Sequence, residues 1–204
     1  AGSHPRIASR TARSADPMST RKLPHIHQRR IEPAGKRLKF ELLDLEFSNG
    51  ATRTYSRMRT HGLGSVIIVP MQDDDTVLLA REYACGLHHY ELGLPKGRLE
   101  EGESILDAAN REMKEEIGYG AHELLELKDL SLAPGYMTHV THVVLARKLY
   151  AEKLEGDEPE ELDVMPWPID DLDSLVSRPD CTEGRSIAAL YIARDYIRNH
   201  PIDE

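Results

Sequence analysis

Apolar and polar positions along the chain alternate in short segments, interrupted by two longer stretches with helical spacing. Residues 39–47 (KFELLDLEF) alternate in part and residues 51–58 return after Asn49-Gly50, a pair that signals a β-hairpin. Residues 64–70 (GSVIIVP) form a β-branched apolar run suited to a buried strand. Asp73, Asp74 and Asp75 then make a polar turn, so residues 76–82 read as that strand's hairpin partner. Residues 90–94, 123–131, 141–150 and 164–167 read as further strands, with a rigid Ala133-Pro134-Gly135-Tyr136 turn between the second and third of these. Residues 170–175 suit a short helix. A closing helix is expected over 184–199, where Ile187, Leu190, Tyr191, Ala193 and Ile197 recur at helical spacing. This order predicts an α/β (α+β) fold, a mixed sheet sandwiched by helices, preceded by a small N-terminal antiparallel sheet.

The other helical stretch carries the candidate chemistry. It opens as a glycine-punctuated loop from Gly97. Ser104 is placed to cap the helix with Asp107 as the acidic partner, and Gly118 and Gly120 stop it. Leu106, Ala109, Met113 and Ile117 make an apolar stripe, and Glu112, Glu115 and Glu116 fall within about one quadrant beside it. Glutamates spaced this way repel by roughly 0.2–0.5 kcal/mol per pair on an exposed helix. A solvated acidic face is the ordinary meaning of such pairs. A hard divalent cation gives the better account here, because carboxylate oxygens suit Mg²⁺ or Mn²⁺ and a bound cation turns repulsion into a reason for ionisation.

Composition narrows the choice further. The 204 residues fit one domain with a small appendage, and 40% hydrophobic content is enough for a core. A net charge of −9 argues against nucleic acid as a partner. Cys85 and Cys181 form no CxxC pair, so neither a disulfide framework nor a zinc signature is expected, and a reducing cytoplasm is the default. No apolar run approaches the ~20 residues that span a bilayer, so no membrane role is expected. Three segments result: 1–20, a tag remnant (Gly2-Ser3-His4) or disordered tail; 21–60, a β-hairpin unit assigned to dimerisation; and 61–204, the main domain. His139 and His142 lack companions for a zinc site and are given a strand role.

The pattern from Gly97 through Glu103 to Arg111-Glu-Met-Lys-Glu-Glu-Ile-Gly118-Tyr resembles a complete Nudix box, departing only at Tyr119, where the family usually has an aliphatic residue. Outside the box, Leu45–Gly50, Arg81-Glu-Tyr83, Tyr90–Gly93, Leu132-Ala-Pro134 and Leu154–Pro159 are similar to the NudE-type ADP compounds hydrolases of the ADP-ribose pyrophosphatase branch. The resemblance implies a Nudix fold and metal-dependent hydrolysis of ADP-ribose, NADH or diadenosine triphosphate, releasing AMP. It implies that Glu112, Glu115 and Glu116 hold Mg²⁺ (Mn²⁺ as second choice) with the backbone carbonyl of Lys96. Gly97, Glu103, Arg111 and Gly118 would be structural, the Glu103–Arg111 pair fixing loop to helix. The base that activates water would be Glu158 or Glu160. Arg81 is a candidate for a phosphate, with an ordinary surface arginine an equally good reading; Glu91 is one for substrate or for supporting a ligand; Tyr136 is one for adenine, with a buried or rim tyrosine the preferred reading. The resemblance also implies a homodimer whose N-terminal strands reach the partner. Two alternatives stay open: a dinucleoside tetraphosphate hydrolase, suggested by Leu94-Pro-Lys-Gly97, and a non-catalytic nucleotide sensor.

Overall fold

The computed structural model describes residues 22–34, 38–59 and 63–200, so the expected tail at 1–20 lies outside the described residues. Its first element is a strand that the alternation does not announce, β1 (His25–Ala34), an edge strand with charges on both faces and Pro33 near its end. It pairs with β2 (Leu38–Glu46), which pairs with β3 (Thr52–Arg59), giving an antiparallel sheet of three strands rather than a hairpin of two. Gly50 turns the β2–β3 connection with a φ of +80°, and its N–H donates to the Phe47 carbonyl at 2.9 Å.

β4 (Ser65–Pro70) and β5 (Thr76–Ala84) follow, and here the expected pairing does not hold. The aspartate turn forms, with the Asp75 N–H donating to Asp73 Oδ1 at 3.0 Å, but only Met71 and Val77 bridge across it. The two strands then part into different sheets. β4 is buried on both faces and needs both of its edges: it runs parallel to β9 (Val140–Ala151) and antiparallel to the short β7 (Lys96–Arg98). A continuous β-branched run is the mark of such a central strand. β5 pairs instead with β6 (His89–Gly93) and β10 (Asp163–Pro168). The sheets are therefore β7-β4-β9-β8, with β8 at Tyr119–Ser131, and β10-β5-β6.

Helices cover the mixed sheet on both sides. Val66, Ile68, Val144 and Ala146 pack against Ala108, Ala109, Met113 and Ile117 of α1 (Ile105–Glu116) and its end. Ile67, Val69, Val143 and Leu145 pack on the other side, with Leu79 and Leu92, against Leu172 of α2 (Leu172–Val176) and Ala189, Leu190 and Ala193 of α3 (Gly184–Asn199). The alternation along β4 thus feeds two cores, one per face. α3 also fixes the approach to β7: Ser186 Oγ accepts from the Leu94 N–H at 3.1 Å, and a Cβ on Gly93 would stand 2.9 Å from that oxygen.

Candidate active site

α1 is built by local signals. Ser104 Oγ accepts from the Asp107 N–H at 3.1 Å and donates to the Asp107 carboxylate at 2.6 Å, closing the N-terminus. Gly118, at φ +75°, lets the chain leave the C-terminus, and Asn110 Oδ1 ties the helix to the Ala121 N–H of β8 at 2.9 Å. The helix is thereby set with one edge against β7. Glu112 and Glu116 are 9% and 8% exposed on that edge, so the acidic cluster lies at the border of the buried face.

β7 is shaped to receive it. A Cβ on Gly97 would stand 1.9 Å from the Glu112 Cδ and 2.1 Å from both carboxylate oxygens, so no larger residue fits while Glu112 lies there. The Lys96 N–H donates to Glu116 Oε2 at 3.1 Å, and the Lys96 ammonium pairs with Glu82 of β5. Burial pushes the Glu116 carboxyl up to about 8, although Lys96 favours the anion. Burial likewise raises Glu112 despite its contact with Arg111.

Arg111 gathers the negative charge. Its Nε and Nη2 hold both oxygens of Glu103 at 2.9 and 3.1 Å, Nη2 reaches the Arg98 carbonyl at 3.0 Å, and Nη1 bridges Glu112 at 2.8 Å and Glu115 at 2.9 Å. Among the described residues no three acidic, imidazole or thiol groups already converge on one point, because the guanidinium stands between Glu112 and Glu115. The donor set nevertheless fits a hard divalent cation: carboxylate oxygens, two of them on largely buried side chains, beside a space that only glycine leaves open.

The acidic segment after β9 is laid over this edge. The Leu154 N–H donates to the Lys114 carbonyl at 3.1 Å, and Lys153 Nζ donates to the Glu115 carbonyl at 3.0 Å. The result is a cleft of about 340 Å³ lined by Glu115, Glu116, Glu155, Glu158, Glu160 and Leu162, among others. Burial first, then the charges of Glu82 and Asp157, push the Glu158 carboxyl upward. Glu160 instead accepts from the Tyr90 hydroxyl at 2.5 Å.

Glu112, Glu115, Glu116, Lys96, Gly97 and Glu158 are thus brought together. The other candidates stand elsewhere or are engaged. Arg81 Nη1 pairs with Asp180 at 2.8 Å. Glu91, buried, accepts from the Thr182 N–H at 2.9 Å and lies 3.2 Å from the His89 ring. Tyr136 is 58% exposed on the β8–β9 loop, where its carbonyl accepts from the Met58 N–H of β3. His139 bonds Ser65 Oγ at 2.9 Å and His142 bonds Asp129 at 2.8 Å. Cys85 is exposed, Cys181 is buried, and both are free. Two neighbours of the site, Glu82 and Tyr90, are not singled out by the sequence reading; the polar end of an otherwise apolar β5 is a signal for the first, and the Tyr90–Gly93 stretch of the family resemblance for the second.

This geometry has close counterparts. Residues 62–186 match the NUDIX domain family, and residues 24–57 match the NudE-type Nudix hydrolase N-terminal domain. The chain belongs to the Nudix hydrolase family. It is 48% identical over 158 residues to ADP compounds hydrolase NudE of Escherichia coli (strain K12), covering 78% of this chain and 84% of that protein. ADP-ribose pyrophosphatase of Bacillus subtilis (strain 168) is 28% identical over 77% of this chain and 85% of its own. A crystal structure of an ADP compounds hydrolase superposes with a TM-score of 0.81 at 42% identity, covering 88% of this chain and 97% of that one. No helix among the described residues is long and apolar enough to cross a membrane.

Proposed function

We propose that this chain hydrolyses the diphosphate linkage of ADP-linked compounds (ADP-ribose, NADH, diadenosine triphosphate) and releases AMP, with Mg²⁺ as the working cation and Mn²⁺ as a substitute. The observation that carries the reading is the edge of α1: Glu112 and Glu116 are largely buried against β7 with Glu115 beside them, an arrangement that burial alone disfavours. Glu112, Glu115, Glu116 and the Lys96 carbonyl would hold the cation. Bound there, it would neutralise diphosphate oxygens and acidify a water. The relatives named above support the substrate class.

Glu158 is the better of the two candidate bases. Both line the cleft with Glu115 and Glu116, but Glu160 is engaged by Tyr90, whereas burial raises the Glu158 carboxyl. Arg111 keeps Glu103 and the loop in register with the helix. The N-terminal sheet is assigned to homodimerisation, supported by its family match and by its exposed Ile31, Phe40 and Tyr55.

A substrate panel tests the reading: ADP-ribose, NADH, diadenosine triphosphate, diadenosine tetraphosphate and nucleoside triphosphates, each with and without Mg²⁺. Metal-dependent AMP release from the first three is expected. A preference for the tetraphosphate would favour the longer-chain reading that Lys96 suggests. Glu116→Gln isolates the metal assignment. It should slow turnover by at least about a hundredfold and remove the Mg²⁺-induced rise in melting temperature. A rise that persists in the variant would move the cation elsewhere.

A further inference from the structure

The acidic segment between β9 and β10 is fastened at both ends. At its start, the Glu152 N–H donates to the Gly118 carbonyl at 3.0 Å and the Leu154 N–H to the Lys114 carbonyl at 3.1 Å. Gly156 then passes so close to α1 that a Cβ there would meet the Glu115 Cβ at 3.4 Å. At its far end, Asp163 enters β10 opposite Arg81 of β5. Among the described residues, the one side-chain hydrogen bond made by residues 157–162 is Tyr90 to Glu160, at 2.5 Å. A hydroxyl donating to a carboxylate at this length belongs to the strong class of hydrogen bonds.

Tyr90 is itself held. It faces Tyr83 across the β5–β6 pair, the rings meeting edge to face with centroids 5.9 Å apart. The Tyr83 hydroxyl bonds His88 Nδ1 at 2.7 Å. His88 has a φ of +57°, a conformation uncommon outside glycine, and the hairpin end closes through the Leu87 and His88 N–H groups on the Ala84 carbonyl. An exposed hairpin end is therefore ordered by its own aromatic contacts, and it presents one hydroxyl to the acidic segment.

We propose that Tyr90 is a positioning residue for hydrolysis: its hydroxyl latches Glu160 and thereby keeps Glu158 in the cleft beside Glu115 and Glu116. The inference rests on the reading of Glu158 as base. A base must lie within hydrogen-bond reach of the water it deprotonates, and a shift of about 1 Å in such a group costs around a hundredfold in rate. The hydrogen bonds at the start of the segment do not reach Glu158 and so do not limit a swing of the middle. Glu158 lies two residues from the latch, so the latch limits that swing.

Five variants test it, with kcat and KM for ADP-ribose and hydrogen exchange of residues 152–162 as readouts. Tyr90→Phe keeps the ring against Tyr83 and removes only the hydroxyl. It should lower kcat roughly ten- to hundredfold, change KM less than about threefold, and speed exchange across the segment. Glu160→Ala should match it, and the double variant should be no slower than either single one, since both remove the same bond. Glu160→Gln, whose amide carbonyl still accepts from Tyr90, should lie closer to wild type than Glu160→Ala. Glu158→Gln is measured alongside. Wild-type kcat or unchanged exchange in Tyr90→Phe, with Glu158→Gln slow, overturns the latch and leaves the base assignment standing. Wild-type turnover in Glu158→Gln overturns the base assignment, whatever Tyr90→Phe does.

Discussion

Gly97→Ala separates the stability of this fold from its chemistry. The backbone at Gly97 is not left-handed, so alanine meets no backbone strain there, and fewer unfolded conformations would favour it by about 0.4–1 kcal/mol. The new methyl would nevertheless stand 1.9 Å from the Glu112 Cδ, about 1.5 Å short of ordinary contact. What must yield is the end of a flexible side chain rather than backbone. Forcing Glu112 off its rotamer costs about 0.5–1.5 kcal/mol, and losing its bond to Arg111 costs about 1 kcal/mol more. The net destabilisation is on the order of 1 kcal/mol, or about 2–4 °C in a domain of this size. The effect on rate is far larger, because a catalytic carboxylate displaced by more than 1 Å costs around a hundredfold. Melting by circular dichroism and AMP release from ADP-ribose across a Mg²⁺ titration, on the same samples, read both quantities. Unchanged turnover with an unchanged Mg²⁺ midpoint would refute the role of Glu112 against β7. A melting loss above about 10 °C would show that backbone, and not the carboxylate, has moved.

Arg111→Lys should destabilise the fold by about 2–3 kcal/mol in urea unfolding, since an ammonium cannot reproduce the fork on Glu103 and the bridge to Glu112 and Glu115 together; a loss below 1 kcal/mol would count against the clamp. Asp180 is held down to about 2 by Arg178 and Arg81. A depressed carboxyl stabilises the fold above its ordinary 3.8 and loses that contribution as pH falls toward 2, so the stability gap between wild type and Asp180→Asn should shrink over that window; a gap independent of pH refutes it. Removing residues 24–57 should convert a dimer to a monomer by light scattering, and an unchanged dimer would count against the role given to the N-terminal sheet.

The legible parts of this molecule are those whose signal is local. α1 reads well because its cap, its stop and its apolar stripe lie within fifteen residues, and its glutamates share an edge by helical geometry alone. β4 is the instructive failure. Its β-branched run reads as buried, yet the tight aspartate turn suggests a hairpin with β5, and a run apolar at successive positions is the better clue to a central place between β7 and β9. β1 escaped because Ile26 and Ile31 are its only large aliphatic residues, too few to mark one face as buried. Tyr90 and Glu160 lie seventy residues apart, and nothing near either of them announces the other.

The distribution of cations explains why an acidic protein suits an anionic substrate. Among the described residues, four cationic side chains at the α1 edge are already engaged: Arg111 by three carboxylates, Lys96 by Glu82, Lys114 by Glu152 and Lys153 by a backbone carbonyl. None of these four meets a diphosphate without giving up a partner. The cleft also adds Glu155, Glu158 and Glu160 to the glutamates of the helix, so on its own it repels the group it is proposed to cleave. Burying Glu112 and Glu116 is a second difficulty, since desolvation disfavours their charged forms. A fold selected for stability alone would place neutral side chains there. Divalent ions held there would resolve both difficulties together: they would reward ionisation of buried carboxylates and reverse the sign of the field that the substrate meets.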